Sequence, residues 1–367
     1  MAQIRKIGVL TSGGDCAGLN VAIRAVAFAA MKKGWEVYGI ENATDGLIAR
    51  PMRYRKFSFS DFDFPYARLG GTMLGTNNSG NSNIQRSADG STEELTDEEA
   101  LERFKSAVNE LGLYALVVIG GDGSMYITSQ FCKKAGIKMI GIPKTIDNDA
   151  PGTDEAIGFA TARNVVMDAL DKLDTTANSH QRLMILEVMG RGAGHLALEG
   201  AIAGMADICL IPEIPYTYEG VLSKLRHLWS SGRTHALMVV AEGIKTPEGK
   251  NVYSANGRTF GGVGNYFADR LAKEKDNFNV RCTILGHVQR GGTPVSRDRI
   301  LASAFGVHAV SLLAKGLTDR VVVAHQGKIS DMPLSKVLKI VRTAVNPRGE
   351  MVKTALGLGM YIGEKKK

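Results

Sequence analysis

The stretch GIPKTIDND (141–149) holds the side chains best suited to chemistry in this chain. Asp147 and Asp149 stand two residues apart, and Lys144 and Thr145 precede them. They follow an apolar run, Ile137 to Ile142, whose one charge is Lys138 and which reads as a buried strand. In an open α/β sheet, ligands bind outside the carboxyl ends of strands. A carboxylate base, a cation and a hydroxyl at such a place suit proton abstraction beside a bound anion. The stretch also reads as a polar turn in which both aspartates bond nearby backbone N–H groups. Taken alone it favours the turn.

Two glycine loops strengthen the chemical reading. TSGGDCAG (11–18) follows a strand at Ile4 to Leu10 and precedes a helix from about Leu19 to Lys33. GGDGS (120–124) follows the continuous apolar run Tyr114 to Ile119, a strand of the buried parallel type, and precedes a helix to about Ala135. Glycines let backbone approach a phosphate, and a helix N-terminus adds N–H groups and a positive dipole end. The spacing is not G-x-G-x-x-G, so no dinucleotide site is indicated. Asp122 is placed to hold Mg²⁺, a hard cation that takes carboxylate, phosphate and water oxygens. Ser124 reads as a helix N-cap. Three strand-to-loop units thus put Gly13–Gly14, Asp122 and Asp147 on one sheet edge.

The second half places cations and polar groups at strand ends or loops: Arg182, Arg191, Glu242, Arg281, His287 and Arg290. Any one of these arginines is an ordinary surface ion pair on its own terms. His180 and His195 read as structural, and Met189 as core. A glycine–carboxylate side with an arginine–histidine side suits phosphoryl transfer onto a hydroxyl of an anionic acceptor, a reaction driven by positioning and charge neutralisation. Asp147 would take the hydroxyl proton, and the cations would hold the acceptor's own phosphate.

The elements that must position these groups repeat a βα rhythm. Strands are expected at Glu36 to Ile40, Leu183 to Val188, Ile208 to Ile211, Ala236 to Val240 and Arg281 to Leu285. Helices are expected at Leu95 to Leu111, with Thr96 as N-cap, and at Tyr218 to Ser230, Gly262 to Glu274 and Ser296 to Ala314. A Gly/Ala-rich helix follows Arg191, residues 81–100 read as an exposed insertion, and the C-terminal part as a hairpin plus a helix. A chain of 367 residues suits two lobes. No run approaches the roughly 18 apolar residues of a membrane span, and the N-terminus leads directly into a strand, so neither membrane nor signal peptide is expected. Four scattered cysteines, Cys16, Cys132, Cys209 and Cys282, fit a reducing cytoplasm. The net charge of +8 is spread out, without the aromatic-lined basic patch of a nucleic-acid binder.

Seven ordered motifs resemble the phosphofructokinases over nearly the whole length: GVLTSGGD (8–15), GGTMLG (70–75), VVIGGDGS (117–124), PKTIDND (143–149), SHQR (179–182), EVMGR (187–191) and LGHVQRGG (285–292). The resemblance implies an α/β protein of two Rossmann-like three-layer lobes with the active site in the cleft between them. Residues 1–158 plus 289–339 would bind the ATP/Mg donor, and 159–288 plus 340–367 the sugar phosphate. It implies fructose 6-phosphate as acceptor, Mg²⁺ as cofactor and fructose 1,6-bisphosphate as product. Asp147 then looks like the base, Asp122 the Mg²⁺ carboxylate and Asp149 its supporting neighbour. Lys144, Thr145 and Arg191 would assist catalysis, and Gly14 and Gly121 to Ser124 would contact donor phosphates. Thr145, Asp149, Met189, Gly190, Arg191, Glu242, His287 and Arg290 would hold the sugar phosphate. Arg182 and Arg281 match arginines that reach in from a neighbouring subunit, so a homo-oligomer is expected, with a tetramer as its form.

The family divides between ATP and pyrophosphate donors. Gly123 leaves room for an α-phosphate where an aspartate would block and repel it, which favours ATP. Lys144 stands where many ATP users have glycine and pyrophosphate users have lysine. Gly123 weighs more, because filling the nucleotide space excludes ATP whereas an added lysine does not. Many members carry a phosphate-bridging arginine near Asn78, where this chain has Asn77-Asn78. Arg24 and Lys56 match basic effector-site residues, but Phe28 and Asp174 fall where further basic residues are usual, so weak effector control is expected. A lipid or NAD kinase would have no purpose for EVMGR and GHVQRGG. A catalytically silent sugar-phosphate sensor would need neither Asp147 nor Asp122.

Overall fold

The computed structural model describes residues 4–63, 65–77, 84–86, 92–252 and 261–364. In chain order the elements are β1 (Lys6–Ser12), α1 (Leu19–Met31), β2 (Glu36–Ile40), α2 (Asp45–Ile48), β3 (Tyr54–Lys56), β4 (Ile84–Arg86), β5 (Thr92–Glu94), α3 (Asp97–Leu111), β6 (Ala115–Gly120), α4 (Asp122–Ala135), β7 (Lys138–Thr145), β8 (Ile157–Gly158) and α5 (Phe159–His180). They continue with β9 (Leu183–Val188), α6 (His195–Ala203), β10 (Ile208–Leu210), α7 (Tyr218–Ser230), β11 (Ala236–Ala241), α8 (Val263–Leu271), β12 (Val280–Ile284), α9 (Ser296–Ala314), β13 (Arg320–His325), β14 (Lys328–Pro333), α10 (Leu334–Val337) and α11 (Glu350–Gly357). The chain divides into two compact α/β units. Unit 1 is 1–146, 150–160 and 290–342, and unit 2 is 147–149, 161–289 and 343–367.

Unit 1 is built on a sheet of order β14-β13-β7-β6-β1-β2-β3, parallel from β13 to β2 and antiparallel at both edges. β6 is buried at every position, because both faces of the sheet are covered. Leu10, Leu116, Val118 and Met139 face α3 and α4 together with Phe104 and Met125. The alternate residues Ile7, Val9, Val117 and Ile119 are equally buried, on the side where α1 and α9 pack. α1 and α9 approach closely at Gly306, where a Cβ would lie 2.6 Å from that of Ala25. Thr96 caps α3 in a reciprocal box with Glu99. β13 and β14 turn through Gln326 and Gly327, both at positive φ, the two-residue hairpin geometry that matches strand twist.

β7 is longer than its apolar run. Its last residues, Lys144 and Thr145, pair with Ile157 and Gly158 of β8. The pairing with a distant two-residue strand extends β7 through Pro143, so Gly141 to Thr145 are strand rather than loop.

Unit 2 holds a parallel sheet of order β10-β11-β9-β12. β9 and β11 are buried throughout, whereas the edge strand β12 is largely exposed. α5 has no counterpart in the sequence reading. Its Thr, Asn and Ser residues mask the apolar spacing, yet Ala162, Val166, Leu170 and Ala177 are all fully buried. Val166 and Leu170 pack onto Gly200 and Gly204, where any Cβ would collide at about 2.5 Å. The buried Glu187 of β9 accepts N–H bonds from Gly262 and Gly264 and so holds the start of α8. Much of the proposed insertion at 81–100 lies outside the described residues, and its end forms β5 and the start of α3.

Candidate active site

Unit 1 brings three strand ends together. β7, β6 and β1 are neighbours, and their register aligns Pro143, Gly120 and Ser12 in one row. The next residues in each strand direction are Lys144, Gly121 and Gly13. Gly13 has φ +83°, and a Cβ there would meet Ser124 Oγ at 2.9 Å. Its N–H donates to Asn77 O (3.0 Å), and its carbonyl accepts from Thr76 Oγ1 (2.6 Å). Gly14 lies against the Arg290 guanidinium, with a Cβ position 2.8 Å from Nη1. Lys144 is 5% exposed and donates from Nζ to Gly14 O. One buried cation therefore ties the β1 loop to the end of β7. Arg290 sits in this unit, beside the donor-type loop, rather than among the sugar-side residues of unit 2.

The β6–α4 turn is tight. Gly121 is the N-cap and Asp122 the first helical residue, so Ser124 lies within the first turn and is not the cap. One residue suffices to turn the chain from β6 into α4, which draws Asp122, Gly123 and Ser124 into the positive end of the helix. A Cβ at Gly123 meets no heavy atom within 4 Å among the described residues. Asp122 accepts the Gly123 N–H at 2.8 Å and a two-armed ion pair from Arg342. Partial burial pushes the Asp122 carboxyl up. The Arg342 guanidinium and the Gly123 N–H more than offset this and hold it below the usual carboxylate range. It is an anion at neutral pH. No cluster of three or more His, Cys, Asp or Glu side chains able to hold a metal exists among the described residues. A single carboxylate beside a phosphate-type loop still fits Mg²⁺, which keeps several waters and takes phosphate oxygens as ligands.

Cys16 is no candidate nucleophile. Burial pushes its thiol up to about 12, and Sγ donates to Ile157 O at 3.4 Å. Asn77, in place of a charged clamp, donates from Nδ2 to Asp45 Oδ2 at 2.6 Å. Asn78 lies outside the described residues.

Unit 2 assembles a second group at the carboxyl ends of β11, β9 and β12. Ala241 is in register with Val188, so Glu242 and Met189 follow in adjacent rows. Gly190 takes φ +141°, and Arg191 follows it, exposed. Gly243 allows the two loops to touch, since a Cβ there would sit 2.1 Å from Arg191 O. β12 ends at Ile284 and leads into a 3₁₀ turn, Gly286–Arg290, that carries His287 exposed. Gln289 is 1% exposed. It accepts the Met189 N–H at 3.2 Å and donates to Gly286 O at 3.0 Å, linking the β9 loop to the 286–290 turn.

Arg182 and Arg281 are not brought to this group. Arg182 precedes β9, and Arg281 is in register with Met184 near the start of β12. Both lie at the amino-terminal edge of the sheet, a strand length of roughly 15–20 Å from Arg191, Glu242 and His287. Asp147 and Asp149 belong to unit 2, both partly buried, and flank the buried Asn148 at φ +53°. Asn tolerates this left-handed conformation, and one such residue turns the chain between the two carboxylates. Thr343 N–H donates to Asp149 O at 3.0 Å.

Two residues escaped the sequence reading. Gln289 lies inside LGHVQRGG but carries no charge to draw notice. Arg342 stands 220 positions from Asp122 with no motif around it; only folding pairs them.

A family model described as phosphofructokinase matches residues 6–313. The chain is 44% identical over 367 residues to ATP-dependent 6-phosphofructokinase 1 of Nostoc sp., covering 99% of this chain and 100% of that protein. It is 44% identical to ATP-dependent 6-phosphofructokinase of Thermosynechococcus vestitus, covering 98% and 94%. Among solved structures, phosphofructokinase from Saccharomyces cerevisiae aligns with a TM-score of 0.76 and 30% identity over 91% of this chain, which spans only 45% of the yeast chain. A pyrophosphate-dependent phosphofructokinase from Nitrosospira multiformis aligns with a TM-score of 0.78 at 19% identity, covering 100% and 94%, which speaks to the fold alone. This chain, with its two α/β units and its glycine, carboxylate and arginine loops, belongs to the phosphofructokinase family.

Proposed function

We propose that this protein transfers the γ-phosphoryl group of ATP to the 1-hydroxyl of fructose 6-phosphate, giving fructose 1,6-bisphosphate in glycolysis. The observation that carries the choice of donor is Gly123: a Cβ there meets no heavy atom within 4 Å among the described residues, and the glycine leaves room for an α-phosphate that an aspartate would block and repel. Relatives of 41–44% identity named as ATP-dependent enzymes support the same donor. Unit 1 binds the donor and unit 2 the sugar phosphate. Gly14 and Gly121 to Ser124 cradle donor phosphates, and Lys144 neutralises charge on the transferred group. Asp122 holds Mg²⁺, which when bound shields phosphate charge. Asp147 accepts the hydroxyl proton, supported by Thr145 and Asp149. Met189, Gly190, Arg191, Glu242, His287 and Arg290 hold the sugar phosphate.

The position of Arg182 and Arg281 at the far sheet edge favours service to a neighbouring subunit's site, and hence a homo-oligomer, a tetramer by the family pattern. The free cysteines and the absence, among the described residues, of any helix fit to span a membrane accord with a cytoplasmic location. Effector control is weak: Phe28 is taken up by Phe59, Phe62 and the Arg24 guanidinium, and Asp174 by His235. Strong inhibition by micromolar phosphoenolpyruvate would contradict that. The second reading is a pyrophosphate donor, favoured by Lys144 and by Asn77-Asn78 in place of the phosphate-bridging arginine. Initial rates with fructose 6-phosphate, Mg²⁺ and either ATP or pyrophosphate at matched concentration decide it. Turnover with ATP alone upholds the proposal, and turnover with pyrophosphate alone replaces it.

A further inference from the structure

Arg342 is the feature of unit 1 that these assigned roles leave unused. Its Nε donates to Asp122 Oδ2 at 2.8 Å and its Nη2 to Oδ1 at 2.9 Å. Both carboxylate oxygens are engaged by one guanidinium fork, Oδ1 also by the Gly123 N–H, so a metal ion taking either oxygen is repelled by the arginine's charge and weakens that grip. The Arg342 side chain is 62% exposed, and a long side chain at the surface can exchange one anionic partner for another. A guanidinium fork matches phosphate as well as it matches carboxylate. When a metal–nucleotide complex arrives, Asp122 gains a new cation and phosphate oxygens come within reach of the displaced arginine.

We propose that Arg342 is the counter-ion of Asp122 before donor binding and becomes a donor-phosphate ligand once the metal–nucleotide complex is seated. This rests on the ATP-dependent reading above. It gives Arg342 two opposed effects. It competes with a metal ion alone for Asp122, and it helps a metal ion that brings phosphates. It also supplies a second cation to a donor site whose Lys144 is buried against Gly13 and Gly14.

The test compares wild type with Arg342→Gln and Arg342→Lys, using the full-length protein without fructose 6-phosphate. Mn²⁺ binding is read by electron paramagnetic resonance, and MgATP binding by calorimetry. Exposed ion pairs contribute little to stability, so both variants fold, which an unchanged melting temperature checks. Arg342→Gln binds Mn²⁺ alone more tightly, by roughly 3- to 10-fold. It binds MgATP more weakly, by roughly 10- to 100-fold. Arg342→Lys keeps the charge without the fork and falls between. MgATP affinity unchanged or raised in Arg342→Gln would overturn the proposal, as would Mn²⁺ affinity unchanged or lowered. A wild-type enzyme that binds no MgATP and turns over only with pyrophosphate would instead refute the functional reading, so the two failures are told apart.

Discussion

At the scale of single residues, donor choice and base chemistry separate cleanly. Gly123 follows Asp122, and a Cβ there meets no heavy atom within 4 Å among the described residues. Gly123→Asp would place a second carboxylate there, where it fills nucleotide space and repels phosphate. The kcat/KM for ATP should fall at least about 100-fold, two units of repulsion and steric loss near 1.4 kcal/mol per tenfold. An ATP kcat/KM within threefold of wild type would remove Gly123 as the donor determinant. Asp147→Ser removes the proposed base and should lower kcat by roughly 10²- to 10⁴-fold with little change in donor KM. Near-normal turnover would sink that role. The types of both residues are plain in the sequence. What the sequence does not show is Arg342 on Asp122, because a pairing across 220 positions leaves no local pattern.

At the scale of elements, loops are held by buried polar groups that carry no catalytic signature. Gln289 joins the β9 loop to the 286–290 turn. Gln289→Leu keeps the volume and drops both bonds, leaving the Met189 N–H without its acceptor. The KM for fructose 6-phosphate should rise about 10-fold, in keeping with one to two lost buried hydrogen bonds, while the KM for ATP stays level. A parallel rise in both constants would mean general loosening instead. Asp331 of β14 does comparable work in unit 1, bonding Arg320 of β13 and His308 of α9. Burial raises its carboxyl, but Arg320 and His308 outweigh this and hold it below the ordinary value of 3.8. Its stabilising contribution is therefore full above the ordinary carboxylate range and is lost only as pH falls through the lower folded value. Asp331→Asn should cost roughly 1–3 kcal/mol at pH 7. The gap to wild type in denaturant titrations should close in strongly acidic buffer. A gap that persists there would assign the loss to packing.

At the scale of the whole molecule, Arg182 and Arg281 lie on the opposite sheet edge from Arg191 and His287. If they complete a neighbour's site, mixing Asp147→Ser with Arg182→Ala subunits under exchange conditions restores activity that neither variant has alone. Failure to recover activity despite proven exchange would confine each site to one chain. The periodic and capped segments were legible in the sequence: β9, α7 and α9 run where the pattern puts them, and Thr96 caps α3. So were the glycine loops at 11–18 and 120–124, where Gly13 takes φ +83° and a Cβ would lie 2.9 Å from Ser124 Oγ. These are local constraints, written in neighbouring residues. Folding decided the rest. β7 reaches Thr145 because β8 pairs with it, α5 docks through Val166 and Leu170 onto Gly200 and Gly204, and Arg290 comes to Gly14 across the chain. Each depends on partners distant in sequence, and contacts of that kind exist only once the sheets have assembled.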